Sequence, residues 1–290
     1  MELNQRINST LDDALSDNAL ADSPDGLRKA LRYAVFPGGA RVRPRLCLSV
    51  ALACGDDYPE FTNSIAAAIE LLHCASLVHD DMPAFDGSAM RRGKPSVHMQ
   101  FGEPLALLTG DALIVMAFQV LAKGAQNIPS RLGMAMTTIA NGVGAPTGIV
   151  AGQAWECESN IPLDKYQQAK TGALFAACTM GGAVASGADP EPWRILGESI
   201  GHAYQVADDL LDANGDPAIM GKPAGKDQEL NRPSAVLENG QEHSVDALRN
   251  LVSQAVNSIP SCPGEKELRQ LIAQESEQFV RQALNCRAAA

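Results

Sequence analysis

The sequence predicts an all-α protein that folds as a single domain over residues 1–290. Only 4% of the residues are aromatic, and alanine and leucine are abundant, a balance that favours helices over strands. With 46% hydrophobic and 20% charged residues, the chain has an ordinary globular composition and is long enough to bury a large core. Long apolar segments with helical periodicity far outnumber strand-like ones, so we expect a bundle of long helices.

Ten helical segments follow from the apolar periodicity and from the residues that stop a helix. Pro37 ends the second segment and Pro83 ends the fourth. Two polar connections stand out, 87–95 and 215–233, and the longer one carries Lys222. The predicted helices are 2–21, 23–35, 45–54, 62–81, 104–122, 131–143, 163–185, 192–212, 245–258 and 265–288.

Charge and cysteine usage exclude several classes of protein. The net charge of −11, from 23 basic and 34 acidic residues, argues against a general nucleic-acid binder. Seven cysteines without a CxxC pair indicate buried, reduced thiols and a cytoplasmic protein rather than disulfides or a zinc site. The N-terminal segment lacks the pattern of a signal peptide, and no apolar run reaches the length of about 18 residues that a membrane span needs.

Two aspartate clusters are the candidate functional site: DDMPAFD at 80–86 and DDLLD at 208–212. Gln205, Asp209 and Asp212 are spaced i, i+4, i+7 and share one helical face. Carboxylates so close repel one another unless a divalent cation lies between them, and Mg²⁺ combines such carboxylates with phosphate oxygens. The alternative, a solvated acidic helix end, is disfavoured because the flanking sequence is apolar.

Basic residues follow both clusters, as expected where a diphosphate extends past the metal ions. They are Arg91 and Arg92 after the first cluster and Lys222 and Lys226 after the second. The apolar runs that lead into the clusters indicate that the other end of the substrate is apolar. The sequence therefore predicts a Mg²⁺-bridged polyphosphate site above an internal apolar cavity.

Seven blocks of sequence resemble the short-chain trans-prenyl diphosphate synthases, in order and in spacing, from about residue 30 to 235. The greatest similarity is to bacterial geranylgeranyl diphosphate synthases of carotenoid and photopigment pathways. The blocks are GGARVRP (38–44), HCASLVHDDMPAFD (73–86), RRGKPSVH (91–98), LLTGDALI (107–114), KTGALF (170–175), AYQVADDLLD (203–212) and GKPAGKD (221–227).

This resemblance implies an isoprenoid-synthase bundle around a central prenyl-binding cavity, and a homodimer. It also implies Mg²⁺-dependent, head-to-tail condensation of isopentenyl diphosphate with an allylic diphosphate. Three Mg²⁺ ions would be held by Asp80, Asp81, Asp86, Asp208, Asp209 and Asp212. Arg91, Lys170 and Lys222 would neutralise the departing diphosphate. Gln205, Thr171 and the backbone carbonyl of Lys170 would face the allylic cation.

The resemblance assigns the isopentenyl diphosphate site to Arg43, His73 and Arg92. Without it, His73 would be interpreted as an ordinary core histidine. The family's GGKRxRP block has a lysine where this chain has Ala40, and Arg41 is the candidate to compensate for it. The acidic residues that often follow the first aspartate motif are also replaced, by Gly87-Ser88-Ala89.

Product length is expected to depend on the helix that ends at Asp81. Residues four and five before Asp80 lie about 6–8 Å deeper along that helix, and they are the small Ser76 and Ala75. The cavity is expected to continue past them toward Leu72 and Ile69, which predicts a twenty-carbon product.

Four alternative interpretations compete with this one. A farnesyl diphosphate synthase often has an aromatic residue at the Ala75 or Ser76 position. A non-catalytic subunit of the family usually has a damaged aspartate motif, and both motifs are complete here. A di-iron bundle needs Glu-x-x-His pairs, which the sequence lacks. A head-to-head condensing enzyme shares the Mg²⁺ chemistry but not the basic blocks.

Overall fold

The structure, a computed structural model, describes residues 2–214 and 240–285 and is mainly helical, which confirms the all-α prediction. A π-helical turn, Gln168–Gly172, joins α9 to α10, and a 3₁₀ turn, Glu191–Trp193, precedes α11. The described helices are α1 Glu2–Ala14, α2 Asp25–Val35, α3 Val42–Cys54, α4 Pro59–Asp80, α5 Val97–Phe101, α6 Glu103–Gly124, α7 Pro129–Val143, α8 Ile149–Trp155, α9 Leu163–Gln167, α10 Ala173–Ala185, α11 Arg194–Asn214, α12 Gln241–Asn257 and α13 Glu265–Asn285.

The core is built around α4 and α10. Every residue of α10 is buried, because the helix is apolar on all sides and packs against α3, α4, α7 and α11. Helix α4 packs along α6 and α3 and ends at Asp80, so its last turns carry the first aspartate motif out of the core. The second motif lies in the last turns of α11, which packs on α10 and α12.

Several predicted boundaries were wrong for local reasons. The first helix ends at Ala14 instead of residue 21, because the Ser16 hydroxyl donates to the Asp13 carbonyl and accepts from the Ala19 amide, an alternative to helical hydrogen bonding. The predicted helix 163–185 is interrupted by the π-helical turn. The short helices α5 and α8 were missed, because five and seven residues are too few to show a helical period.

The predicted loop 87–95 contains a small antiparallel hairpin in which Arg91 pairs with Lys94. Its strands are Met90–Arg91 and Lys94–Pro95. The turn residues Arg92 and Gly93 both have positive φ, of 53° and 74°. The hairpin fixes the direction of the two neighbouring arginines, Arg91 and Arg92.

Two helices, α4 and α6, have the length and hydropathy that a membrane span requires, with mean hydropathies of 1.4 and 2.0. Because 78% of the apolar window of α4 is buried, α4 is a core helix. Only 39% of the window of α6 is buried. Its outer side therefore presents apolar residues at the surface, among them Leu107, Leu108 and Val115.

Candidate functional site

A cavity of about 620 Å³ runs from the two aspartate motifs into the apolar interior. Carboxylates and basic groups contribute to the lining, and much of the remaining wall is formed by aliphatic side chains from α4, α6, α7 and α8 together with aromatic side chains. A volume of this size is typical of a small-ligand site. The lining includes Arg43, Leu72, His73, Ala75, Ser76, Asp80, Asp86, Arg91, Ile114, Val143, Ile149, Lys170, Thr171, Gln205, Asp208 and Asp209.

The first motif leaves its helix and folds back on it. Helix α4 stops at Asp80, and the amide of Asp86 donates to the Asp80 carbonyl at 3.0 Å while the Gly87 amide donates to the Met82 carbonyl at 3.0 Å. These bonds close the loop that Pro83 starts. Asp86 thereby lines the same cavity as Asp80, although five residues lie between them in the sequence.

Asp81 faces away from the cavity and holds Arg91. Asp81 is 2% exposed, and its carboxylate accepts from Arg91 Nη2 at 2.6 Å and Arg91 Nε at 3.0 Å. Burial raises the pKa of Asp81 above its ordinary value, the Arg91 hydrogen bonds lower it, and the charges of Asp80 and Asp86 raise it further. Arg91 itself lines the cavity, with Nη2 3.6 Å from Asp80 Oδ2. A direct metal-binding role for Asp81 stays a prediction that this placement does not support.

The second motif presents a hydrogen-bonded row of side chains on α11. Thr171 Oγ1 donates to Gln205 Oε1 at 2.9 Å, and Gln205 Nε2 donates to Asp209 Oδ1 at 2.9 Å. The two bonds fix the orientation of the Gln205 amide. Asp208 lines the cavity beside them. The side chain of Asp212 lies outside the described residues, as do Lys222 and Lys226.

Lys170 and Thr171 lie in the π-helical turn between α9 and α10. Such a turn accommodates an extra residue and often occurs at functional sites, and here both side chains reach the cavity. Lys170 Nζ pairs with Glu156 Oε1, lies 3.8 Å from Asp80 Oδ1 and is 5.6 Å from the centre of the Tyr166 ring. Sequence reasoning missed Glu156. The one feature that could have revealed it is that this acidic residue directly follows the short apolar segment α8.

Arg43 and His73 form a second polar group on the cavity wall. Arg43 Nη1 is 3.4 Å from His73 Nε2, and the guanidinium lies over the rings of Phe175 and Tyr204 at 4.5 and 5.7 Å. Burial, followed by the charges of Arg43 and Arg92, lowers the pKa of His73 well below its ordinary value of 6.5, so the imidazole is neutral. Arg43 Nε is buried and has no hydrogen-bond partner among the described residues.

Arg92 and Arg41 differ in exposure. Arg92 is exposed. Its guanidinium lies close to Gly39, in the segment before α3, because a Cβ added to Gly39 would be 3.0 Å from Arg92 Nε. Arg41 is buried, and its guanidinium donates to Glu70 Oε1 at 2.5 Å and to the Val35 carbonyl at 2.8 Å. Arg41 thus ties the start of α3 to α4, and its contacts give no support to a role as a diphosphate ligand in place of a lysine at Ala40.

The predicted length-determining residues lie on the wall of the cavity. Leu72, Ala75 and Ser76 line it, and the Ser76 hydroxyl is turned back to the His73 carbonyl at 2.8 Å. Ile69, one turn deeper, is fully buried in the core and is not part of the lining. The cavity therefore extends along α4 to Leu72.

The carboxylates present a donor set that suits Mg²⁺ bound together with a phosphate. Among the described residues no three acidic, histidine or cysteine side chains converge on one point. Asp80 and Asp86 stand on one wall, and Asp208 and Asp209 stand on another. Mg²⁺ takes one or two carboxylates, keeps several waters and completes its shell with substrate phosphates. Two separated carboxylate walls fit that behaviour better than they fit a preformed cage.

A helical bundle in which two aspartate motifs meet at the polar end of an apolar cavity is the architecture of the isoprenoid synthases. The family model for polyprenyl synthetase matches residues 24–274, and the chain belongs to this family. Geranyltransferase from Legionella pneumophila has the same fold, with a TM-score of 0.81 and 26% identity over 97% of this chain and 95% of its own. Geranyltransferase from Helicobacter pylori, in a structure complexed with magnesium and isoprenyl diphosphate, gives a TM-score of 0.77 at 29% identity and covers 88% of this chain and 89% of its own.

Two curated relatives are similar over nearly their full length. The geranylgeranyl diphosphate synthase of Cereibacter sphaeroides is 51% identical over 280 residues, which cover 97% of each chain. The geranylgeranyl diphosphate synthase of Rhodobacter capsulatus is 54% identical over 273 residues, which cover 94% of each chain.

Proposed function

We propose that this protein is a Mg²⁺-dependent geranylgeranyl diphosphate synthase that condenses isopentenyl diphosphate head-to-tail with an allylic diphosphate. The observation that carries the proposal is one cavity lined by carboxylates and by a largely apolar wall that continues past Ala75 and Ser76 to Leu72. The names of the two relatives at 51% and 54% identity support the same product.

The polar end of the cavity would bind the allylic diphosphate. Asp80 and Asp86 on one side and Asp208 and Asp209 on the other would hold three Mg²⁺ ions, with Asp212 as a further ligand expected from the family resemblance. The resemblance also names Asp81, but its carboxylate is bound to Arg91 and would act through that arginine. When bound, the metal ions neutralise the charge that develops on the departing diphosphate. Arg91 and Lys170 add fixed positive charge at the same end, and Arg91 is held in place by its paired hydrogen bonds to Asp81.

The allylic cation would form beside Thr171 and Gln205. The hydrogen bond between them leaves lone pairs on both oxygens, and the amide of Gln205 is held at its other end by Asp209. Oriented dipoles that need no rearrangement stabilise a developing charge efficiently. The row Thr171–Gln205–Asp209 therefore suits a positively charged carbon centre.

The diphosphate of the second substrate would bind at Arg43, His73 and Arg92. The unpartnered Nε of Arg43 fits an anionic oxygen, and two aromatic rings hold its guanidinium in place. Neutral His73 retains one ring N–H as a donor and leaves the positive charge to the arginines. The buried pair of Arg41 and Glu70 would support this site by fixing the start of α3.

The growing chain would extend along α4. Ser76, Ala75 and Leu72 lie about 6, 7.5 and 12 Å below Asp80, given the rise per residue of an α-helix. The small residues at 75 and 76 leave the path open, and we infer a twenty-carbon product. A farnesyl diphosphate synthase is the alternative, and it is disfavoured because this chain has no aromatic residue at position 75 or 76 to block the path. The alternative of a non-catalytic subunit is disfavoured, because both motifs place carboxylates on the cavity.

We also propose a cytoplasmic homodimer whose product enters carotenoid or photopigment biosynthesis. The exposed apolar side of α6 supports the dimer, because a helix face with Leu107, Leu108 and Val115 at 48%, 52% and 57% exposure suits contact with a second copy. The role in pigment synthesis rests on the resemblance to synthases of those pathways.

The metal assignment is tested with Asp80→Ala and Asp208→Ala. Each variant removes a carboxylate from one wall, so turnover of labelled isopentenyl diphosphate should fall by about 100-fold or more. Asp22→Ala, which removes an exposed carboxylate distant in sequence from both motifs, is the matched control and should keep full activity. Kinetic constants of Asp80→Ala or Asp208→Ala within a factor of about three of the unsubstituted protein would contradict the assignment.

A further inference from the structure

Glu156 lies at the meeting point of three cavity residues, although no sequence motif drew attention to it. It follows the last residue of α8, and its Oε1 accepts from the Tyr166 hydroxyl at 2.6 Å and from Lys170 Nζ. Its Oε2 accepts from Gln153 Nε2 at 3.2 Å. Gln153, Tyr166 and Lys170 all line the cavity. The carboxylate is thus fixed on both oxygens, with the lysine ammonium on one of them.

The backbone enforces this contact. A Cβ added to Gly152 would lie 2.4 Å from Lys170 Cα, so α8 packs directly against the π-helical turn only because residue 152 has no side chain. The π-helical turn in turn directs Lys170 toward the cavity. Two unusual local features, a contact glycine and a π-helical turn, therefore bring Glu156 and Lys170 together.

The ammonium of Lys170 has carboxylates on two sides. It pairs with Glu156, and Asp80 Oδ1 is 3.8 Å away. A lysine side chain is a flexible point charge that moves to the strongest available anion. Without the charge of Glu156, the ammonium would close on Asp80. A cation bound to Asp80 competes for the oxygens that the metal assignment gives to Mg²⁺.

We propose that Glu156 is a positioning residue that keeps the Lys170 ammonium off Asp80. The carboxylate leaves Asp80 available to Mg²⁺ and holds Nζ where it can contact the diphosphate. This inference rests on the Mg²⁺ site of the proposed function. It assigns a role to a carboxylate that belongs to neither aspartate motif.

Binding of an inert substrate analogue tests the proposal without turnover. The probe is the thio analogue of farnesyl diphosphate, in which sulfur replaces the bridging oxygen, titrated by calorimetry at a series of Mg²⁺ concentrations. Glu156→Gln keeps the size and an acceptor for Tyr166 but removes the charge. It should raise the Mg²⁺ concentration for half-maximal analogue binding by about tenfold or more. Glu158→Gln, an exposed neighbour, is the matched control and should leave it unchanged.

A double-mutant cycle separates positioning from a structural role. Lys170→Met removes the ammonium and keeps much of the aliphatic stem. In that background Glu156→Gln should change the Mg²⁺ dependence by less than about twofold, because the group that it positions is gone. A purely structural role for Glu156 would give the same shift with and without the lysine.

The possible results distinguish failure of the positioning role of Glu156 from failure of the proposed synthase function. An unchanged Mg²⁺ dependence in Glu156→Gln, or equal shifts in the two backgrounds, would overturn the positioning role. Mg²⁺-dependent analogue binding without chain elongation by the unsubstituted protein would reject the proposed function alone. Absence of Mg²⁺-dependent analogue binding by the unsubstituted protein would reject both.

Discussion

Individual charged residues divide into those that face the cavity and those that hold its walls. Arg43 and Arg91 line the cavity, whereas Arg41 is buried against Glu70. Asp80 lines the cavity, whereas its neighbour Asp81 is bound to Arg91. Residues close in sequence are therefore placed differently: some line the cavity, and their neighbours pair with other side chains of the wall.

His73 gives the protein a pH-dependent stability in the absence of ligand. Its folded pKa lies below 6.5, so below that pH the unfolded chain takes up a proton that the folded protein excludes. This contribution to stability is present above the unfolded pKa and is lost as the pH falls below it. Urea unfolding of His73→Gln and the unsubstituted protein at pH 7.5 and about 5.5 should show a smaller loss in the variant. Equal losses would contradict a neutral, buried His73.

The division between cavity residues and wall residues could be predicted only in part. The positions of Asp80, Asp86, Gln205 and Asp208 follow from helical period and from Pro83, which are properties of the local sequence. The burial of Arg41 depends on Glu70, twenty-nine residues away, and no local pattern distinguishes it from Arg43. Leu72, Ala75 and Ser76, the residues predicted to determine product length, share the cavity wall because one continuous helix, α4, carries all three.

Among the secondary-structure elements, α8 and the π-helical turn are short but contribute several residues to the cavity region. The seven residues of α8, Glu156 directly after them and the five residues of the turn bring Gln153, Glu156, Lys170 and Thr171 to the cavity region. Neither element was predicted. A π-helical turn differs from a helix by one residue of hydrogen-bond register, and the contact between α8 and the turn depends on tertiary packing around Gly152.

Gly152→Ala tests the contact between these elements. The new methyl group would approach the Lys170 backbone to 2.4 Å, and such overpacking costs about 1–3 kcal/mol of unfolding free energy. Because the displaced segment carries Lys170, turnover should fall as well. Gly133→Ala on α7, where a Cβ meets nothing within 4 Å, is the control and should be neutral or stabilising by up to about 1 kcal/mol. Denaturation of both variants checks this, and equal stabilities would contradict the close packing.

At the scale of the whole molecule, helix α6 contributes both to the lining of the apolar cavity and to an exposed apolar surface. Ile114 of α6 faces the cavity, while Val115 on the same helix is 57% exposed. Met134 and Met136 add exposed apolar area on α7, which follows α6. In the proposed dimer, a second copy would cover this surface.

Val115→Glu tests the dimer. A charge in the middle of an apolar interface has no partner, so the variant should elute as a monomer while the unsubstituted protein elutes as a dimer. Ile195→Glu, at an apolar residue of α11 with a similar exposure of 53%, is the matched control. Size-exclusion chromatography with light scattering gives the masses. An unchanged mass in Val115→Glu would place the interface elsewhere.

Product analysis tests the central claim, that the cavity open past Ala75 sets the length of a prenyl chain built at the carboxylates. The unsubstituted protein and Ala75→Tyr are each incubated with Mg²⁺, isopentenyl diphosphate and a five-, ten- or fifteen-carbon allylic diphosphate, and the dephosphorylated products are separated by chromatography. The unsubstituted protein should make the twenty-carbon product, and the variant should stop at fifteen carbons because the ring fills the cavity beside Ser76. Absence of elongation, or a twenty-carbon product from both proteins, would contradict the account.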